Sequence, residues 1–251
     1  MSGPEDRGPG RAATRAHVLR WAAWSPGLED RAAWEGWASA PGPLSTEGHP
    51  DAAFLPAMLR RRCTPLTRLV LTAAFGALAE EERPRVRTVF ATRHGSINES
   101  IELLHAVVKQ ERLSPTKFSH TVHNAQAGLF CIAAGNRQAS SSLAACADTF
   151  ACGWLEALSF LERDPACPVL FVTSDVPLDP TFAALVREPP GAYGLGLLLG
   201  RVGDGPGFDF DLMGRAEPGA QPWPDAAEFL RFLLAGEERL ELGRFGWTRA
   251  A

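Results

Sequence analysis

The run Pro168 to Ser174, PVLFVTS, constrains the fold more than any other stretch, because it is apolar almost without interruption. A strand with one wet face alternates polar and apolar residues. A run of this kind is buried on both faces, in a sheet covered by helices on each side. Its surroundings meet that demand. Arg87 to Thr92, RTVFAT, is a β-rich run followed by the turn residues His94 and Gly95, and Ile97 to Gln110 reads as an amphipathic helix. The segment from Lys117 to Leu158 reads as a helix (Asn124 to Ala134), a short strand (Ser140 to Ala144), a turn carrying Cys146, and a helix (Asp148 to Arg163). Strands alternating with helices predict an α/β layered fold. Further on, Ala192 to Val202 and Phe208 to Leu212 read as a strand pair finishing the sheet. Pro224 to Ala235 reads as an amphipathic helix, and RLELGRFGWTRA as a packed extension.

Ala52 to Glu82 has the spacing of a long helix, with Leu55, Leu59, Leu66, Leu69, Val70 and Ala73 favouring one side, and Pro65 divides it into two pieces. Trp21, Trp24, Trp34 and Trp37 surround the turn Ser25-Pro26-Gly27 and are expected to close one end of a core rather than to stack a ligand. Gly194-Leu195-Gly196 lacks the following helix and the third glycine of a dinucleotide fingerprint. No internal repeat or linker divides the chain. One domain is expected over residues 15–251, after a polar, Gly/Pro-rich, disordered segment at 1–14.

With 251 residues and 45% hydrophobic side chains, the chain can bury a substantial core. Lys109 and Lys117 are the only lysines, the net charge is −4, and only Arg60, Arg61 and Arg62 form a basic run, so nucleic acid is not an expected partner. That run suits a solvated helix face or an acidic partner such as an acyl carrier protein. The five cysteines show no CxxC pair and no zinc spacing, which suits a reducing compartment. No stretch approaches membrane-spanning length and the first fifteen residues hold no apolar signal core. Cytoplasmic residence, no membrane span, no metal and no cofactor are the expectations.

Cys146 stands where the N–H groups and dipole of the following helix favour a thiolate. The alanines at 144, 145, 147 and 151 permit close packing and leave room for a substrate chain. Asp148, in the first helical turn, opposes reactivity by repelling a thiolate. All six histidines lie at or before His123, and none follows Cys146. On residue type alone an unreactive core thiol is favoured over a nucleophile.

NAQAGLFCIAAG (Asn124 to Gly135), SSSLAACADTFACGWLEAL and PVLFVTS together resemble the amino-terminal half of a β-ketoacyl synthase of the thiolase superfamily, and LPAMLRRRCTPLTRLVLTAA is similar to an arginine-rich helix of that family. The resemblance runs loosely from Leu19 to Val202. It implies a thiolase-like layered fold truncated to about one half, with a mixed sheet covered by helices. Ala145-Cys146 matches the family's nucleophile stretch, whereas Ala147-Asp148-Thr149 departs from it. The resemblance places Cys146 at the nucleophile-equivalent position, expected to be inactive here, with Ala145, Ala147, Asp148 and Phe150 lining an acyl cavity. Ser140, Ser141, Ser142 and Leu143 would lie at a two-fold interface, where an edge strand needs its open N–H and C=O groups covered.

Decarboxylating condensation needs hydrogen-bond donors at a developing oxyanion, which ketosynthases supply from histidines, or His and Asn, of their second half. Nothing after Cys146 matches them. The sequence therefore most resembles a chain-length-factor subunit of the aryl polyene type. Such a subunit is non-catalytic and pairs with a full-length ketosynthase to shape the acyl cavity in fatty-acid or polyketide-type elongation, served by an acyl carrier protein. Two alternatives stand beside it: a β-ketoacyl synthase or acyltransferase using Cys146, with His120 or His123 as base, and an acyl- or small-molecule-binding module unrelated to synthesis.

Overall fold

A computed structural model describes residues 14–183, 185–186, 189–213 and 222–250. Apart from Thr14, the segment expected to be disordered lies outside the described residues. Among these, eight strands, β1 (Thr14–Trp24), β2 (Arg87–Ala91), β3 (Ser140–Leu143), β4 (Val169–Asp175), β5 (Tyr193–Gly200), β6 (Gly207–Leu212), β7 (Arg239–Leu242) and β8 (Phe245–Arg249), form one mixed sheet. Its order is β3-β2-β4-β5-β1-β6-β8-β7. The first three run parallel, and every other pairing is antiparallel. Helices α1 (Arg31–Ser39), α2 (Ala57–Arg60), α3 (Pro65–Gly76), α4 (Ile97–Val108), α5 (Pro115–Ser119), α6 (Ala125–Ala134), α7 (Thr149–Arg163), α8 (Pro180–Ala183) and α9 (Asp225–Ala235) connect the strands.

The apolar run becomes β4, buried at every residue, between β2 and β5. Its pleat sends Val169 and Phe171 into one core, with Trp154 of α7 and Phe229 of α9, and sends Leu170 and Val172 into the other, with Leu66 and Val70 of α3 and Phe130 of α6. These two cores make the three-layer arrangement that the run demands. The first is dense in aromatics: Phe150, Trp154, Phe208, Phe229 and Trp247 meet with ring centroids 5.1 to 6.4 Å apart. On the other face α3 lies almost on the backbone of β5, since a Cβ at Gly196 would come within 2.4 Å of the Ala73 carbonyl oxygen. This close approach accounts for the Gly194-Leu195-Gly196 pattern. Trp24, Trp34 and Trp37 are buried, as expected of aromatics closing a core.

Three expectations need correction. β5 and β6 do not pair with each other; they flank β1, which pairs with β5 over His17 to Trp24 and with β6 over Thr14 to His17. An 11-residue strand is long enough to serve a different neighbour on each edge. The carboxy-terminal stretch is no mere packed extension. It forms the β7–β8 hairpin, which buries Leu240, Leu242, Phe245 and Trp247 and carries the sheet to its far edge. The long helix read from Ala52 starts in earnest only at Pro65, where the Thr64 hydroxyl accepts the Thr67 N–H at 3.2 Å and proline occupies the first turn. Upstream only the single turn of α2 is helical.

Candidate functional site

The parallel strands β2, β3 and β4 end on one side of the sheet, where the chain turns into α4, into α7 and into the loop that begins at Val176. Cys146 lies there, after β3, opening a short 3-10 turn (Cys146–Asp148) that runs into α7. It is exposed, and its backbone is left-handed with φ 50. Thr149 holds that conformation: its buried hydroxyl accepts the Ala145 N–H at 3.0 Å and donates to the Cys146 carbonyl at 2.8 Å. A left-handed non-glycine residue costs about 1–3 kcal/mol and persists where its surroundings fix it.

Asp148 behaves differently from the sequence reading. Its Oδ2 lies 2.9 Å from Nη2 of Arg244, on the β7–β8 turn, so the carboxylate beside the thiol is paired with a guanidinium. The opposition to a thiolate inferred from Asp148 alone is thereby offset. Only the folded position of the hairpin, which brings Arg244 onto Asp148, reveals this.

Cys146, Ala147 and Phe150 line a narrow cleft together with Arg93, Thr149, Thr173, Asp175, Tyr193 and Asp225. Ala145 and Asp148 are not among its lining. Its volume is about 10 Å³, room for one water molecule at most. Phe150 turns its ring into the aromatic core against Phe171, Phe229 and Trp247. Of the histidines proposed as bases neither lines the cleft: His120 is buried close to Arg62, and the His123 ring lies beside Gly95.

A second cleft of about 210 Å³ shares Asp175 and Tyr193 with the first and is lined also by His94, Val176, Pro177, Leu178 and the stretch from Pro189 to Gly191. Asp175 organises the join. Buried at the end of β4, it accepts the backbone N–H groups of Arg93 at 3.0 Å and His94 at 3.2 Å, and the Tyr193 hydroxyl at 3.3 Å. Sequence reasoning passed over this residue, although a carboxylate closing a largely apolar strand was the available signal. Among the described residues no three His, Cys, Asp or Glu side chains converge as a metal site requires, and no helix is long and apolar enough to cross a membrane.

β3 is an edge strand. It pairs with β2, and among the described residues no strand lies on its other side. Ser140 is exposed, while Ser141, Ser142 and Leu143 are half-buried. Other elements are thinly covered: of the twelve residues of α4 only Ile101 is buried, and Leu104, Val107, Val108, Leu113, Phe118, Val122 and Ile132 are exposed. The opposite edge, β7, carries the exposed ion pair Arg239–Glu241 at 2.9 Å, a charged device that discourages strand pairing. The two edges are thus unlike, one guarded and one open.

A family model described as the β-ketoacyl synthase N-terminal domain matches residues 34–247. No curated protein matches the chain. Among solved structures, the ketosynthase ApeO in complex with its chain length factor ApeC, from Xenorhabdus doucetiae, is similar with a TM-score of 0.78 at 24% identity, over 94% of this chain and 99% of that one. The ishigamide ketosynthase/chain length factor is similar with a TM-score of 0.62 at 17% identity, over 78% of this chain and 67% of that one. The AntDE:AntF complex of a type II polyketide acyl-carrier protein with its ketosynthase gives 0.58 at 15% identity, over 74% of this chain and 62% of that one. At these identities the shared feature is the fold.

Proposed function

The chain belongs to the β-ketoacyl synthase family and has its thiolase-like layered fold, and from that premise we propose that it is a non-catalytic subunit of the chain-length-factor kind. In this reading it pairs with a full-length ketosynthase through Ser140, Ser141, Ser142 and Leu143 and shapes the acyl cavity of the pair in aryl polyene or related fatty-acid and polyketide elongation. The observation that carries it is the open edge of β3 with α6 packed next to it, whose Ile132 is exposed, set against a guarded edge at β7. An unpaired row of backbone groups flanked by apolar side chains is a surface built to be covered. Structures similar to the chain include ketosynthase and chain-length-factor complexes, which supports a ketosynthase as the cover.

The surroundings of Cys146 favour a structural part over a catalytic one. Its cleft has no room for an acyl chain, and no histidine lines it among the described residues. Proton transfer and oxyanion stabilisation both require donors within hydrogen-bond reach of the reacting atoms. Ala145, Ala147, Asp148 and Phe150 then contribute to the wall of a cavity completed by the partner. Arg61 and Arg62, exposed beside Met58, offer an acyl carrier protein the positive charge its acidic helices seek. The site of action in this reading is the cytoplasm.

Incubating the isolated chain with an acyl-thioester donor and measuring its intact mass tests the non-catalytic part. No stable adduct is expected. A robust adduct that disappears in Cys146→Ala would overturn it in favour of an acyltransferase or β-ketoacyl synthase using Cys146.

A further inference from the structure

Between Glu111 and Asn124 the chain forms an arm, α5 with its flanking turns, that lies outside both cores. Every residue of the arm is exposed or half-buried except His120, which is 6% exposed. Its apolar side chains Leu113, Phe118 and Val122 face outward. Beyond the arm's own turns, the exposed ion pair of Lys117 with Glu102 at 2.9 Å ties it to α4. Glu111 donates its N–H to the Ala106 carbonyl at 2.9 Å at the base of the arm, and the exposed His123 ring lies beside Gly95, so His120 is the one side chain of the arm that is buried against the body.

We propose that His120 is a proton-sensitive peg, which holds the arm down while the ring is neutral and releases it when the ring takes up a proton. Nε2 is buried and has no hydrogen-bond partner among the described residues. A charged ring there would lose its hydration with no acceptor in compensation. The charged group facing it, Arg62 from the turn before α3, has the same sign as the imidazolium. Lys117, on the ring's own element, is engaged with Glu102. Glu99, at the start of α4, is hydrogen-bonded to Thr64 and is itself pushed toward its neutral form by burial. Burial first and Arg62 second hold the His120 ring below the ordinary histidine range.

The sign follows from that depression. The closed arm binds the proton less tightly than the open one, so its stability is fully present above pH 6.5 and falls as the pH drops from 6.5 toward the depressed value. Within that window one proton is linked to opening, and the opening constant rises up to about tenfold per pH unit. Below the window it levels off. If the arm belongs to the partner-facing surface, acidification would also loosen the heterodimer; that consequence rests on the function proposed above, whereas the peg does not.

Hydrogen–deuterium exchange of the isolated chain tests the peg without any partner. Labelling at pH 7.5, 6.5, 5.5 and 5.0, with times scaled for intrinsic exchange, is expected to show peptides from 111–124 losing protection several-fold below pH 6.5. Peptides from 150–161 in α7 should stay protected. In His120→Gln the arm should lose its pH dependence, and in Arg62→Gln the rise should be smaller. A flat wild-type profile, the same rise in His120→Gln, or simultaneous loss of protection in α7 overturns the proposal. Titration of the His120 ring by NMR gives a readout independent of the variants, and a value at or above 6.5 overturns it equally.

Discussion

Replacing Ser142 by proline challenges the open edge of β3 with little harm to the chain itself. The carbonyls of Ala139 and Leu143 accept the N–H groups of Thr88 and Thr92 from the β2 side. In a parallel ladder the residues between, Ser140 and Ser142, turn their N–H and C=O groups the other way. That puts four backbone groups on the outer edge. Each hydrogen bond made there by a partner strand is worth about 0.5–1.5 kcal/mol net. Proline at 142 removes one donor and pushes its ring toward the partner, so the loss should reach about 1–3 kcal/mol, or roughly 5- to 150-fold in dissociation constant. The fold should lose less than about 1 kcal/mol, because proline is tolerated on an edge strand whose N–H faces outward. Thermal unfolding of Ser142→Pro, together with titration against a full-length ketosynthase, reads both quantities. Wild-type affinity in the variant would refute the use of this edge, and a collapsed Tm would refute the assignment of inward and outward residues.

Three further outcomes follow from the packing. Trp154→Ala removes a fully buried ring from the aromatic core and should cost about 3–5 kcal/mol in denaturant unfolding; a loss under about 1 kcal/mol would contradict the core described. Gly196→Ala places a methyl group 2.4 Å from the Ala73 carbonyl, so α3 must shift and stability should fall by about 1–3 kcal/mol or more; an unchanged Tm would contradict the close approach. Thr149→Val leaves the Ala145 N–H without its acceptor and frees the Cys146 carbonyl, at about 1–3 kcal/mol. Labelling of Cys146 by a thiol reagent should then change in rate, and an unchanged rate would show that Thr149 does not fix the turn.

The units β2–α4, β3–α7 and β4 were legible because each is local, with an apolar run followed by a helical period. The turn carrying Cys146 was legible for the same reason. The central position of β1 was not, since its neighbours lie 170 to 196 residues away, as Trp24 opposite Gly194 and Thr14 opposite Phe210 show, and no local pattern records that pairing. The final hairpin did leave a trace in the alternation of Leu240, Leu242, Phe245 and Trp247 around Gly243. Its consequence, Arg244 brought onto Asp148, depends on tertiary contact alone. Asp175 and Tyr193 meet because they are register partners on antiparallel strands. Each residue is unremarkable in its own stretch, and the cleft they share emerges only from the pairing.

Native mass spectrometry of the chain co-expressed with a full-length ketosynthase tests the central claim most directly. A 1:1 heterodimer that survives purification, and that Ser142→Pro weakens, is the predicted result. A chain that purifies alone as a stable monomer, with its β3 edge as protected from exchange as the interior strand β4, would contradict the account.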